Sequence, residues 1–205
     1  MPKFLPPLAT YLENTVNSFE TISLERKNIL DELAQSISSI LEENDHAELI
    51  FICTHNSRRS HLSQIWASIA AEYFDKKVIC YSGGTESTAV YKSILGSLSS
   101  AGIEISHLTE GENPVYSLRY ASSCYPLIAF SKSFDHPSNP RLNFGAIMTC
   151  GHAEENCPFI PEALFRFPLT YVDPKHSDGT AEESQVYAST CQLIATEVFY
   201  LFSRL

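Results

Sequence analysis

The chain has 205 residues, of which 44% are hydrophobic, 19% charged and 11% aromatic. That composition excludes a disordered or collagen-like chain. A formal net charge of −10 and a pI near 5.1 disfavour nucleic acid or an anionic membrane as partner, so an anionic substrate needs a local positive pocket.

In chain order, residues 1–22 read as a polar, proline-bearing lead-in, with no unbroken apolar stretch of the kind a signal peptide needs. Ser23 caps a helix through about Glu43, whose apolar face is Leu30, Leu33, Ile37, Ile40 and Leu41. Residues 1–46 thus form a helical extension ahead of a domain spanning 47–205. "LIFIC" (49–53) reads as a strand covered on both faces. A helix over 60–74 follows, then the strand "KVICYS" (77–82), closed by Gly83 and Gly84. Next comes a helix over 88–101, with Gly102 as its C-cap. Residues 110–144 read as an insertion in which "VYSLRY" and "PLIAFSKSF" form a hairpin and "DHPSNP" a turn-rich loop. "FGAIMTC" (144–150) is another buried strand, and "FRFPLTYV" (165–172) a weaker one interrupted by Pro168. A long helix over 181–203 closes the chain. This order implies an α/β sandwich around a parallel sheet. Ligands in such sheets bind outside the carboxyl ends of the strands, where Cys53 and Cys150 both fall.

No run approaches the ~20 apolar residues of a membrane span. The expectation is a cytoplasmic protein whose six cysteines, at 53, 80, 124, 150, 157 and 191, are free thiols. In that compartment suggestively placed cysteines are more often catalytic, redox-active or metal-binding than structural.

The stretch "CTHNSRRS" (53–60) joins a strand to a helix N-terminus. Such a loop offers backbone N–H groups and the positive end of the helix dipole to an anion. Arg59 adds a planar fork that matches two oxygens of a tetrahedral oxyanion. The same surroundings favour a thiolate at Cys53, beside any anion bound there. Ser60 can donate a hydrogen bond to the sulfur. A bare C-x5-R also suits a buried core thiol; the strand before it and the helix after it favour the reactive reading.

"ICTHNSRRS" resembles the phosphate loop of low-molecular-weight protein tyrosine phosphatases and of thioredoxin-coupled arsenate reductases, which share a fold. The resemblance covers about residues 47–204. It implies a three-layer α/β sandwich with a four-stranded parallel sheet, here with an added N-terminal helix and an insertion. It implies that Thr54, His55, Asn56, Ser57, Arg58, Arg59 and Ser60 surround the oxyanion, with Arg58 in a supporting role and Asn56 bracing the loop. The family has glycine where this chain has His55, a position expected to need an unusual backbone angle.

"MTCGHAEENCPFIP" (148–161) resembles the redox loop of the arsenate reductases, which simple tyrosine phosphatases lack. Carried over, Cys53 attacks arsenate, Cys150 attacks Cys53 as arsenite leaves, and Cys157 then attacks Cys150. A thioredoxin-like protein reduces the resulting disulfide. Zinc held by Cys150, His152 and Cys157, with Cys53 or His176, is a competing reading, but the spacing resembles no common zinc knuckle. Relatives place an Asp-Pro where this chain has Asp173-Pro174, so the resemblance makes Asp173 the acid that protonates the leaving oxygen. Gln64 replaces an expected carboxylate ligand of potassium, so no metal or other cofactor is implied. The implied function is arsenate reduction. The alternatives are phosphotyrosine hydrolysis through a cysteinyl-phosphate, with the extra thiols as protection, and a non-catalytic oxyanion-binding module. The 110–144 insertion is a candidate specificity or partner element, or a cover for a sheet edge.

Overall fold

The computed structural model describes residues 3–151 and 160–205. Four strands, β1 (Ala47–Cys53), β2 (Val78–Gly84), β6 (Phe144–Met148) and β7 (Ala163–Pro168), form one parallel sheet in the order β2-β1-β6-β7. This is the expected α/β architecture. Leu49, Ile50, Phe51 and Ile52 of β1 are all fully buried, because the central strand is covered on both faces. Their side chains alternate: Leu49 and Phe51 enter the larger apolar core, Ile50 and Ile52 a smaller one with Cys53 and Cys150.

The larger core is closed by helices. In α3 (Arg59–Tyr73), Leu62, Ile65, Trp66 and Ile69 are buried. In the last helix, α5 (Glu183–Ser203), the buried set includes Tyr187, Ile194, Val198, Phe199 and Phe202. The helix after β2, α4 (Lys92–Ser100), contributes Ile94 and Leu98. It starts four residues later than expected. Residues 85–91 instead run along the loop that follows β1, where Thr85, Glu86 and Tyr91 make backbone hydrogen bonds to it.

The N-terminal segment departs from expectation. Residues read as a lead-in form α1 (Pro6–Asn17), followed by a short 3-10 turn and α2 (Leu24–Glu43). Pro6 and Pro7 begin α1, where an absent N–H costs nothing. Leu8 and Leu12, one turn apart, are buried, and Tyr11 stacks on Trp66 with ring centroids 5.2 Å apart. Gly102 has φ +100, and a Cβ there would meet the Leu8 nitrogen at 2.4 Å, so the end of α4 packs directly on α1. α2 follows the reading: Ser23 accepts from the Arg26 N–H, and Leu30, Leu33, Ile37 and Ile40 are buried.

The insertion holds the expected hairpin, β4 (Tyr116–Arg119) against β5 (Leu127–Ala129). A strand not foreseen, β3 (Glu104–His107), joins it to make a three-stranded antiparallel sheet. "EISH" carries one apolar residue and gave no strand signal. Beyond β5, Ser133 bridges to Gly84, which covers the end of the edge strand β2. β7 begins two residues early and ends at Pro168, a place an edge strand tolerates. Among the described residues no helix is long and apolar enough to cross a membrane.

Candidate oxyanion site

The loop Thr54–Arg58 leaves β1 at its carboxyl end and enters α3. Four of the carbonyls that open this turn are taken by donors outside it. Thr85 N–H donates to Cys53 O at 3.1 Å, Glu86 N–H to Thr54 O at 2.8 Å and Tyr91 N–H to Ser57 O at 3.0 Å. His55 O accepts from the hydroxyls of Ser131 at 2.9 Å and Thr88 at 3.2 Å. In a trans peptide the following N–H points opposite to the carbonyl. The N–H groups of Thr54, His55, Asn56 and Arg58 therefore face away from these supports, as an anion-binding turn requires.

The positive φ of the loop falls on Asn56 (43°), not on His55. Asparagine tolerates that region because its short side chain bonds locally. Asn56 Nδ2 donates to Ser60 Oγ at 2.9 Å, while Asn56 Oδ1 accepts from the Lys132 N–H at 2.9 Å, which fixes the amide orientation. Ser60 Oγ lies 3.1 Å from Cys53 Sγ. Since that hydroxyl accepts from Asn56, its hydrogen is left for the sulfur, and a donor at this place stabilises a thiolate.

Arg59 heads α3 from its first turn. Its Nη1 donates to Tyr171 O at 3.0 Å and its Nη2 to Asp173 Oδ2 at 2.5 Å. Its Nε is buried with no hydrogen-bond partner. Such an orphaned charged donor is costly unless a ligand takes it. Asp173 Oδ1 also accepts from the Lys175 N–H and caps the 3-10 turn Pro174–Ser177. Asp173 thus sits against the arginine and also serves as a turn-former.

Arg58 does not turn toward the loop. Its guanidinium is bonded to Tyr187 Oη and to Asp178 Oδ2, both at 2.5 Å, and lies over the Tyr91 ring at 4.0 Å. Any contribution to an anion from this residue comes from its backbone N–H.

Cys150 follows β6. Its sulfur lies 3.5 Å from the Thr54 hydroxyl, and it shares the smaller apolar core with Cys53. Cys157 and His152 lie outside the described residues. Among the described residues no group of three metal-ligating side chains occurs. His176 instead meets Asp173 O at 2.7 Å. Burial pushes the Cys191 thiol up to about 12 and the Cys80 thiol further, so neither competes as a nucleophile.

Several supporting residues gave no sequence signal. Lys132, from the insertion, is 6% exposed, and burial lowers its ammonium to about 8. His61 is fully buried beside Ser82, 3.5 Å from its hydroxyl; burial, then the charge of Lys132, lowers it to about 3. Gly84 is a contact glycine. A Cβ there would meet Glu86 O at 2.3 Å and Asn56 N and Thr54 O at 2.7 Å. The "GG" that ends β2 was the available hint; Lys132 and Asp178 lacked even that, because their partners are distant in sequence.

No protein-family profile matches the chain. Arsenate reductases from Halalkalibacterium halodurans and Bacillus subtilis are each 26% identical to it. The first aligns over 135 residues, 66% of this chain and 79% of the relative; the second over 140 residues, 68% and 82%. Among solved structures, an arsenate reductase in the phosphate-binding state superposes with a TM-score of 0.52 at 16% identity, covering 77% of this chain and 97% of the other. A YwlE mutant from Bacillus subtilis gives 0.50 at 13% identity, covering 77% and 97%. The fold is the one shared by low-molecular-weight phosphatases and arsenate reductases.

Proposed function

We propose that this chain, which has the low-molecular-weight phosphatase fold and is similar in sequence to arsenate reductases, reduces arsenate to arsenite through three thiols. The observation that carries the reading is the second thiol. Cys150 stands at the end of the strand beside β1, with its sulfur against Thr54, the residue after Cys53. A phosphatase needs no such thiol.

In the proposed cycle the Cys53 thiolate attacks arsenic(V), and a hydroxide leaves as water with a proton from Asp173. The loop N–H groups and Arg59 hold the remaining oxygens. The Cys150 thiolate then attacks Cys53 Sγ. The sulfur–arsenic electron pair stays on arsenic, which departs as arsenite, and a Cys53–Cys150 disulfide forms. Cys157 attacks Cys150 and frees Cys53 as a thiolate; a thioredoxin-like dithiol reduces the Cys150–Cys157 bond. Arg59 must exchange Asp173 for the oxyanion, which frees the carboxyl to carry the proton.

Hydrolysis of a phosphomonoester at the same loop is the second reading, favoured by the anion-ready geometry alone.

Mapping disulfides by mass spectrometry after reduced protein meets arsenate without reductant tests the proposal. An arsenate-dependent Cys150–Cys157 bond, absent from Cys150→Ser, is expected. No arsenate-dependent bond ends the reductase reading and leaves the phosphatase.

A further inference from the structure

The two adjacent arginines hold opposite ends of one turn. Arg59 holds the near end through Tyr171 O and Asp173. Arg58 holds the far end through Asp178, whose other carboxylate oxygen accepts from Tyr187. Between them the turn is internally tied: Asp178 N–H donates to Lys175 O and Thr180 N–H to Ser177 O, both at 3.0 Å. The Arg58 side chain is 11% exposed and Tyr187 is fully buried, so this ion pair is sheltered from solvent. The Arg58 guanidinium lies over Tyr91, which itself stacks on Tyr187 with centroids 5.4 Å apart. The far anchor is therefore a packed site in which Nε of Arg58 meets the Tyr187 hydroxyl and Nη2 the Asp178 carboxylate, built on the residue before Arg59.

This arrangement answers a difficulty in the cycle. When Arg59 takes an oxyanion it releases Asp173, and the near anchor of the turn is lost when the acid is needed. We infer that Arg58 is a positioning residue: its clamp on Asp178 and Tyr187 keeps the Asp173 turn docked on the oxyanion loop while Arg59 is occupied by substrate. The inference deepens the proposed reaction and rests on that reading for its catalytic consequence; the clamp itself does not depend on turnover.

Hydrogen exchange of the Asp178 and Thr180 amides tests the clamp in the free protein. Arg59→Gln removes the near anchor alone, and these amides are expected to stay within about threefold of wild type. Arg58→Gln combined with Arg59→Gln removes both arginines and leaves the far end only the Tyr187 hydroxyl on Asp178 and the Glu183 carboxylate on the Gly179 N–H, and exchange is expected to rise about tenfold or more. Asp178→Asn combined with Arg59→Gln has to reproduce that rise, which guards against a folding defect peculiar to Arg58→Gln. If Arg59→Gln alone frees the turn as fully as the double variant, the inference is overturned.

The catalytic consequence is read as a double-mutant cycle on arsenate-dependent thiol oxidation. Arg58→Gln is expected to slow the wild type about tenfold, and to add under about twofold to Asp173→Asn. Losses that multiply would show that Arg58 acts independently of the acid and would overturn the inference. The two failures stay separable, because exchange needs no turnover, whereas a wild type that oxidises no thiol with arsenate ends the reductase reading instead.

Discussion

At Gly84, 31 residues after Cys53, a hydrogen in place of a methyl lets the loop Thr54–Arg58 pack against β2. The Cβ of an alanine would fall 2.3–2.7 Å from three backbone atoms, none able to swing aside as a side-chain tip would. Gly84→Ala is expected to cost about 1–3 kcal/mol in urea unfolding and to displace Asn56 and the loop N–H groups it steadies, with loss of phosphate binding by calorimetry. A variant that binds phosphate like the wild type would show that the loop does not depend on this approach. His61 makes a pH prediction of definite sign. Its ordinary value is 6.5 and burial lowers it to about 3 in the folded chain, so between those values the unfolded chain holds more protons. Stability from this group is full above pH 6.5 and is lost as pH falls toward 3, at about 1.4 kcal/mol per unit. The charges around it do not relieve the penalty, since Lys132 is the nearby cation and opposes protonation further. Thermal melts between pH 7 and 5 are expected to fall more steeply for the wild type than for His61→Gln; parallel slopes would remove His61 from the acid sensitivity.

The elements that sequence made legible are those whose signal is local. β1 and β6 are continuous apolar runs, α2 has a serine cap and a helical stripe, and the "CTHNSRRS" loop joins strand to helix; each appears where its residues place it. What was not legible depended on partners far along the chain. α1 was hidden by two prolines that stand in its first turn, and by leucines whose burial needs the distant α5 and Gly102. The insertion's part in the site was hidden because Lys132 acts through its backbone: its N–H on Asn56 and its carbonyl on Gly84 are invisible in a residue pattern. The loop–turn pairing of Arg59 with Asp173 lies between these cases. The dipeptide Asp173-Pro174 was visible, but not that the acid rests on the arginine. That contact gives a prediction with opposing signs. Asp173→Asn removes the proposed proton donor, and turnover with arsenate is expected to fall about 10²–10⁴-fold. It also releases Arg59 and removes a negative charge beside the anion, so phosphate should bind more tightly by calorimetry. Weaker phosphate binding in the variant would mean that Asp173 orders the loop instead of competing for Arg59.

Across the whole molecule, charge and packing divide the labour. The chain carries −10 overall, so under the proposed reading an anion is held by local donors, Arg59 and the loop N–H groups, against the global field. Holding such a site against that field needs a stiff frame, and the frame includes the N-terminal helices. Leu8 and Leu12 of α1, Leu30 and Leu33 of α2, and Trp66 and Phe199 belong to one core behind β1. Arg26 of α2 reaches Thr170 O, three residues before Asp173, and pairs with Glu197. If α1 were a loosely attached decoration, trimming its buried face would cost little and would not be felt by the sheet. The packing argues otherwise: Leu12→Ala is expected to cost about 2–5 kcal/mol, and Leu24→Ala, at a residue 76% exposed, within about 0.5 kcal/mol. Trp66 is the sole tryptophan and stacks on Tyr11, so its fluorescence reports α1 directly, while far-UV circular dichroism reports the whole chain. In Leu12→Ala the two transitions are expected to move down together in urea, the behaviour of one cooperative unit. A fluorescence change that precedes the loss of circular dichroism would separate α1 from the core that carries the site.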